Sequence, residues 1–269
     1  MKILSRSYMW VVFALLYAPI LVLVVFSFND GGTLSSYTGF SLRWYGELFR
    51  DRVALQSLKN SLLLALGSSA IATVIGTFAA LGLDRMKQRT LKGAITSVTN
   101  IPMMNPDIVT GVSMMLLFVA LAGILSLDNI LGRWTMLIAH VTFSLPYVIL
   151  SILPRFRQFD NTLREAALDL GCTPTRSFFK VELPSILPGI VSGFVMGFTL
   201  SLDDFVISHF VSSPDFQTLP LYIYNQTAHD VKYSMYALCT LIIVAILVLL
   251  LAVNFAGGIG KGKRKEGAK

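Results

Sequence analysis

LREAALDLGCTPTRSFFKVELPSILPG, residues 163–189, sets Arg164, Glu165, Asp169, Arg176, Lys180 and Glu182 between two long hydrophobic blocks. Its local grammar is helical. Thr162 followed by Glu165 has the spacing of a capping box. Leu163, Ala166, Ala167 and Leu170 recur at i, i+3, i+4 and i+7, which makes one apolar stripe. Gly171 is placed to end that helix as its C′ residue. Thr173-Pro174 reads as a second start, with Thr as N-cap and Pro at N1. Pro184 limits the second helix, because proline disfavours helix at the residue before it. The stretch therefore predicts a short helix, a glycine bend and a second short helix. A loop lying flat on lipid would show the same stripe. The alanines favour a protein surface instead, since a small side chain lets another backbone come close.

Outward from this stretch the chain is oily. Of its 269 residues, 54% are hydrophobic and 14% charged, against roughly 45–50% and about 25% in soluble domains. The chain reads as one membrane domain over 1–269, all-α and polytopic. Six blocks reach the length of about 20 apolar residues that a crossing needs: 9–28, 61–83, 98–123, 134–153, 186–211 and 234–256. The first follows Lys2 and Arg6 as a signal peptide would. Its apolar core is too long for one and no small-x-small cleavage site follows, so it is expected to stay as a helix. Lys and Arg gather at the N-terminus, in 84–97, in 154–185 and in the basic tail 257–269. Only Arg43, Arg50, Arg52, Lys59, Arg133 and Lys232 remain for the other side. The positive-inside rule then predicts both termini and the 163–184 segment in the cytoplasm. This placement explains the net charge of +7 without nucleic acid. Tyr8, Trp10, Trp134, Tyr233 and Tyr236 sit near span ends, where amphipathic rings settle at the interface. Cys172 and Cys239 offer neither a disulfide framework nor metal-ligand spacing.

Acids within spans are costly and need a reason. Asp107 lies in NIPMMNPDIVTG, residues 100–111, where Pro102 and Pro106 interrupt the third block. Broken helices at membrane depth are tolerated where they line a cavity or are buried in protein. Counting from residue 98 puts Asp107 near the midplane, with Asn105 beside it as a pathway or capping residue. The alternative is an acid at the true start of a shorter helix. Asp203 and Asp204 lie in TLSLDDFVISHF, residues 199–210, toward the outer half. Neighbouring helix positions differ by about 100°, so one acid is expected to face the pathway and the other a neighbouring helix. Snorkelling at the helix end is the rival reading. Carboxylates in an apolar passage, with no intramembrane Lys or Arg, favour a cation. Phe205 and Tyr147, with Phe143 and Phe210, offer ring faces to ammonium groups. His140 is expected to be a neutral, hydrogen-bonded residue of the bundle.

Glu165-Ala166-Ala167, then Gly171, then Val181-Glu182-Leu183-Pro184 resembles the EAA loop of ABC-importer permeases, with Val181 where isoleucine is usual. The resemblance covers about residues 60–255. It implies the six-helix permease fold of type I (MetI-like) importers, and makes Glu165, Ala166, Ala167, Gly171, Leu183 and Pro184 the segment that docks on an ATPase. The runs SFN (27–29), MMNPDIVTGVS (103–113), AHVTFSLPYV (139–148), EAALDLG (165–171), FTLSLDDFVISHF (198–210) and LPLYIY (219–224) are similar, as a set, to permeases of spermidine/putrescine importers. That similarity implies a polyamine substrate, a periplasmic polyamine-binding protein, a second homologous permease and two copies of a cytoplasmic ATPase. It also implies a bacterial inner-membrane location. ATP and magnesium would belong to the ATPase; this chain is expected to hold no cofactor or metal and no catalytic site. Departures fall in 29–60 and the tail. GGIGKGK, residues 257–263, begins like a P-loop but continues with Arg264, and no strand precedes it. Three rivals remain: a related permease for ferric iron or an amino acid, an ion-coupled secondary transporter, and a scaffold that moves nothing. The second would need inverted repeats, and no internal repeat is evident.

Overall fold

A backbone in hydrocarbon has no water to bond, so an apolar chain must close its hydrogen bonds within helices. The computed structural model describes residues 2–31, 36–126, 130–227 and 233–262. Among these, the only strand-like pairings are isolated bridges at Asn29–Phe40 and Ser213–Phe216. The helices are α1 (Lys2–Phe26), α2 (Arg43–Arg50), α3 (Arg52–Arg85), α4 (Arg89–Met104), α5 (Asp107–Leu125), α6 (Arg133–Arg157), α7 (Asn161–Asp169), α8 (Pro174–Ser177), α9 (Leu183–Asp203), α10 (Val206–Val211), α11 (Leu219–Thr227) and α12 (Ser234–Gly262). A π-helical turn, Phe178–Glu182, joins α8 to α9. Among the described residues, α1, α3, α5, α6 and the continuous rod Pro174–Asp203 are long and apolar enough to span a membrane. Ser234–Val248 supplies a shorter apolar stretch.

Residues 56–222 form one compact unit; 1–55 with 223–269 form another. In the second of these, α1 presents Tyr8, Trp10, Leu15 and Leu16 outward, as a lipid-facing helix does. The amphipathic α2 buries Trp44 and Leu48. The Trp44 indole donates to the Asn29 carbonyl at 2.6 Å, and its ring meets Tyr233 at 5.2 Å.

In the 56–222 unit, α6 is the central helix and α9 is packed along it. Gly189, Gly193, Gly197 and Ser201 recur every fourth residue on α9, and all four are buried. This small stripe lets the α9 backbone approach α6 closely, the usual device where lipid offers no hydrophobic drive between helices. A Cβ on Gly193 would stand 3.2 Å from Val148 Cγ1 and 3.4 Å from the Val148 carbonyl oxygen. Two apolar clusters result. The first joins Ala72, Leu83, Val148, Ile152, Phe156, Phe178 and Ile186. The second joins Leu64, Phe118, Met136, Ala139, Phe143, Ile207 and Val211.

Several boundaries differ from the sequence expectation. Helix α3 runs from Arg52 to Arg85, because hydropathy sees only the lipid-embedded part of a helix that projects beyond it. The third block is two helices parted at Asn105-Pro106. The fifth breaks after Asp203. Pro184 ends nothing: the Leu183 N–H reaches the Phe178 carbonyl across the π turn, whose wider ring accommodates the bonds that proline cannot make. The predicted second short helix is therefore the foot of the fifth span. The sixth helix continues through 257–262, so that part of the tail is helical; 263–269, Lys232 and the rest of 228–232 lie outside the described residues.

Gly193→Leu is expected to cost about 1–3 kcal/mol through overpacking against Val148. Gly123→Leu, where a side chain meets open space, is expected to stay within about 0.5 kcal/mol. Thermal unfolding in detergent compares the two.

Candidate functional site

The break in the fifth span is built by Asp204. Its backbone leaves the helix at ψ 120°, and its carboxylate then caps the next helix. Asp204 Oδ1 accepts from the Ile207 N–H at 3.1 Å, and Oδ2 from the Ser208 N–H at 2.8 Å. These are donors that a helix start otherwise leaves bare. His140, from α6, lies behind the cap. Its Nε2 is 3.5 Å from Asp204 Oδ2 and 3.3 Å from Ser208 Oγ, while Nδ1 meets Ser201 Oγ at 2.7 Å. Ser201 in turn accepts from Ser68 Oγ of α3 at 2.9 Å. If the Ser201 hydroxyl donates to Nδ1, the neutral tautomer directs Nε2–H at Asp204 and Ser208. Four helices, α3, α6, α9 and α10, thus meet at one buried polar layer between the two apolar clusters.

The neighbouring acids are separated by this geometry. The Asp204 side chain is only 6% exposed; it is the one turned toward a neighbouring helix. Asp203 is exposed. Phe205, in the break itself, is half-buried and lies 5.5 Å from the His209 ring. Tyr147 is half-buried and packs on Phe143, with ring centroids 5.7 Å apart. Phe143 is buried in the second apolar cluster, and Phe210 packs against Gly111. Those two rings belong to helix packing and not to an open passage.

Asp107 opens α5 as its first residue, with Pro106 as N-cap and an exposed Asn105 as the C-cap of α4. An acid there complements the positive end of the helix. A Cβ on Gly111, one turn after Asp107, would meet Phe210 at 2.9 Å and the Ile207 Cα at 3.5 Å, so the first turns of α5 pack against α10. Arg155 closes over Gly189, and Asp203 lies about 21 Å further along the rod at ~1.5 Å per residue.

At the other end, α7 starts two residues earlier than the T-x-x-E spacing predicts. Asp160 is the N-cap, accepting from the Thr162 N–H at 3.0 Å and the Thr162 hydroxyl at 2.8 Å. These bonds hold the Asp160 carboxyl below the usual carboxylate range, the hydroxyl contributing most. Gly171 does end the helix at φ +85°. The Gly171 and Cys172 N–H groups bond to Leu168 and Ala167 carbonyls, which is the Schellman pattern. Thr173 caps α8 through the Arg176 N–H at 3.3 Å. On α7, Leu163 is 51% exposed and Leu170 87%. Glu165 and Ala166 are also exposed, and Ala167 is half-buried. Leu183 packs on the first apolar cluster, while Pro184 is exposed on the rod. A cleft of about 420 Å³ runs between α7 and the end of α3, lined by Asp84, Arg85, Asn161, Arg164, Glu165 and Leu168.

Sequence reasoning missed three features. Ser68, Ser201 and Ser208 carry no signal singly. The four-residue spacing of Gly189, Gly193, Gly197 and Ser201 is a readable signal. Glu182 was visible as a charge but not as the buried partner of two arginines.

The chain matches the family described as "Binding-protein-dependent transport system inner membrane component" over residues 72–257. It is 42% identical over 234 residues to the putrescine transport system permease protein PotI of Escherichia coli (strain K12), covering 87% of this chain and 83% of that one. It is 41% identical over 247 residues to the spermidine/putrescine transport system permease protein PotC of Haemophilus influenzae, covering 92% and 93%. Its fold is shared with a bacterial ABC transporter involved in the import of the acidic polysaccharide alginate. That match has a TM-score of 0.73 at 14% identity and covers 94% of this chain and 95% of that chain.

Asp204→Ala removes both a cap and the acceptor facing His140. It is expected to cost about 1–3 kcal/mol, whereas Asp203→Ala is expected to stay within about 0.5 kcal/mol. Thermal unfolding of the two purified variants separates a structural acid from a free one.

Proposed function

Because the chain belongs to the family of binding-protein-dependent transport system inner membrane components, we propose that it is one of two homologous permeases lining the path of an ATP-driven polyamine importer. The observation that carries this reading is the pair of helix breaks, each beside an exposed acid: Asp107 follows Asn105-Pro106 and Asp203 precedes Asp204-Phe205. Asn105, Phe205 and Tyr147 line the same path in this reading. A spermidine or putrescine cation, handed over by a periplasmic binding protein, meets these carboxylates and passes inward. Separate, modest sites suit this task, since a passage that held a polycation tightly would not release it. Asp204 serves the path indirectly, by fixing the break.

The exposed stripe of α7, Leu163, Ala166 and Leu170 with Glu165 at its edge, docks on one of two cytoplasmic ATPase subunits. ATP and its magnesium are held there, and hydrolysis takes place there. Both termini then face the cytoplasm of a bacterium whose inner membrane holds the complex. The names of the relatives, putrescine and spermidine/putrescine permeases, support the substrate class.

The test is uptake by proteoliposomes holding this chain, the second permease and the ATPase pair, supplied with the binding protein. ATP inside should drive import of radiolabelled spermidine or putrescine. Asp203→Asn and Asp107→Asn are each expected to lower uptake about tenfold or more, the scale of a lost bond to a charged group, with the ATPase still bound. Leu170→Asp is expected to release the ATPase on purification. Import driven by a proton gradient without ATP, or ATP-driven import of ferric iron or an amino acid in place of polyamines, would defeat the reading.

A further inference from the structure

Glu182 lies in the π turn at the foot of the fifth span, with a side chain only 4% exposed. A buried carboxylate needs partners, and Glu182 takes them from two other elements. Arg85, in the last turn of α3, donates from one Nη2 to both carboxylate oxygens, at 2.8 and 2.9 Å. Arg164, on α7, places Nε 3.4 Å from Oε1. Arg85 and Arg164 are themselves only about a third exposed, at 37% and 34%. One carboxylate therefore gathers the docking helix, the end of the second long span and the base of the fifth. Its position is also mechanically particular. The turn that carries it is the one element of the Pro174–Asp203 rod not wound as α-helix. Next to it, Phe178 anchors the turn in the first apolar cluster.

We propose that Glu182 is a positioning residue that couples the docking helix to the membrane bundle, through its paired bonds to Arg85 and Arg164. The proposal rests on the transport reading above. A displacement of α7 must carry Arg164 with it. Through Glu182 that displacement loads both the foot of the rod that ends at Asp203 and the inner end of α3, which bears Ser68. The residue touches neither the docking stripe nor the passage, so its loss should uncouple the two ends without detaching either.

The experiment uses the complete complex in lipid nanodiscs and reads how far the substrate-loaded binding protein stimulates ATP hydrolysis over the basal rate. Glu182→Gln and Arg85→Gln are each expected to lower that stimulation at least about fivefold, the lower end of ordinary coupling between sites, with the ATPase co-purifying in full. The double variant is expected to lose no more than either single one, because groups that act as a pair are not additive. Glu182→Asp, which keeps the charge, is expected to recover part of the stimulation. Full stimulation in Glu182→Gln, or a double loss equal to the product of the two single losses, overturns the proposal. Should Glu182→Gln fail to assemble, Arg85→Gln and Glu182→Asp make the same comparison. Full stimulation in Arg85→Gln, or none regained by Glu182→Asp over Arg85→Gln, overturns it equally. A wild-type complex whose ATPase ignores the loaded binding protein sinks the transport reading itself, and this joint with it.

Discussion

The bond between the Asp204 carboxylate and the Ile207 and Ser208 N–H groups is the constraint on which the membrane half of the molecule turns. In hydrocarbon an interrupted helix exposes donors that nothing around it will accept. Asp204 provides the acceptor from within the chain, and His140 shields it from behind. With the break fixed in this way, the peptide on either side has no freedom to choose which acid is buried. Asp204 is committed inward, and Asp203 is left outside.

The same commitment organises the packing around it. The polar layer of Ser68, Ser201, His140, Ser208 and Asp204 lies between two apolar clusters. Polar contacts between membrane helices contribute on average only about 0.6 kcal/mol each, with some reaching ~1.7. Close packing must therefore hold α6 and α9 together, and the small residues at 189, 193, 197 and 201 permit it. The hydroxyls and the imidazole add directionality: they fix the rotation of α9 about its own axis, which packing of a smooth glycine face leaves loose.

Much of this was legible in sequence, and the exceptions have physical causes. The oily composition and the Gly171 bend each report a local or solvent-driven preference, and each has a local signature. Asp107, Asp203 and Glu165 stand out for the same reason, since a charge in an apolar stretch is visible without coordinates. Partnerships were not legible. Glu182 and Arg85 are far apart in the chain, as are His140 and Asp204, and nothing in either pair's immediate neighbourhood announces the other. The prolines read alike in sequence but act differently. Pro106 does mark a break, because no π turn precedes it to absorb the missing donor. Pro184 does not, because the turn at 178–182 does so.

On the transport reading, these features form a single lever. The rod from Pro174 to Asp203 stays helical through Pro184 and Pro188, so a push at its foot is delivered toward the acid at its tip. A hinge at Pro184, as the sequence alone suggests, would have absorbed that push where it was applied. The π turn removes the hinge while still accommodating the proline. Flexibility is displaced to the far end, where Asp204 ends one helix and begins the next. Force applied at α7 is thereby carried toward the break beside Asp203. The helix is stiff where it must transmit and broken where it must yield.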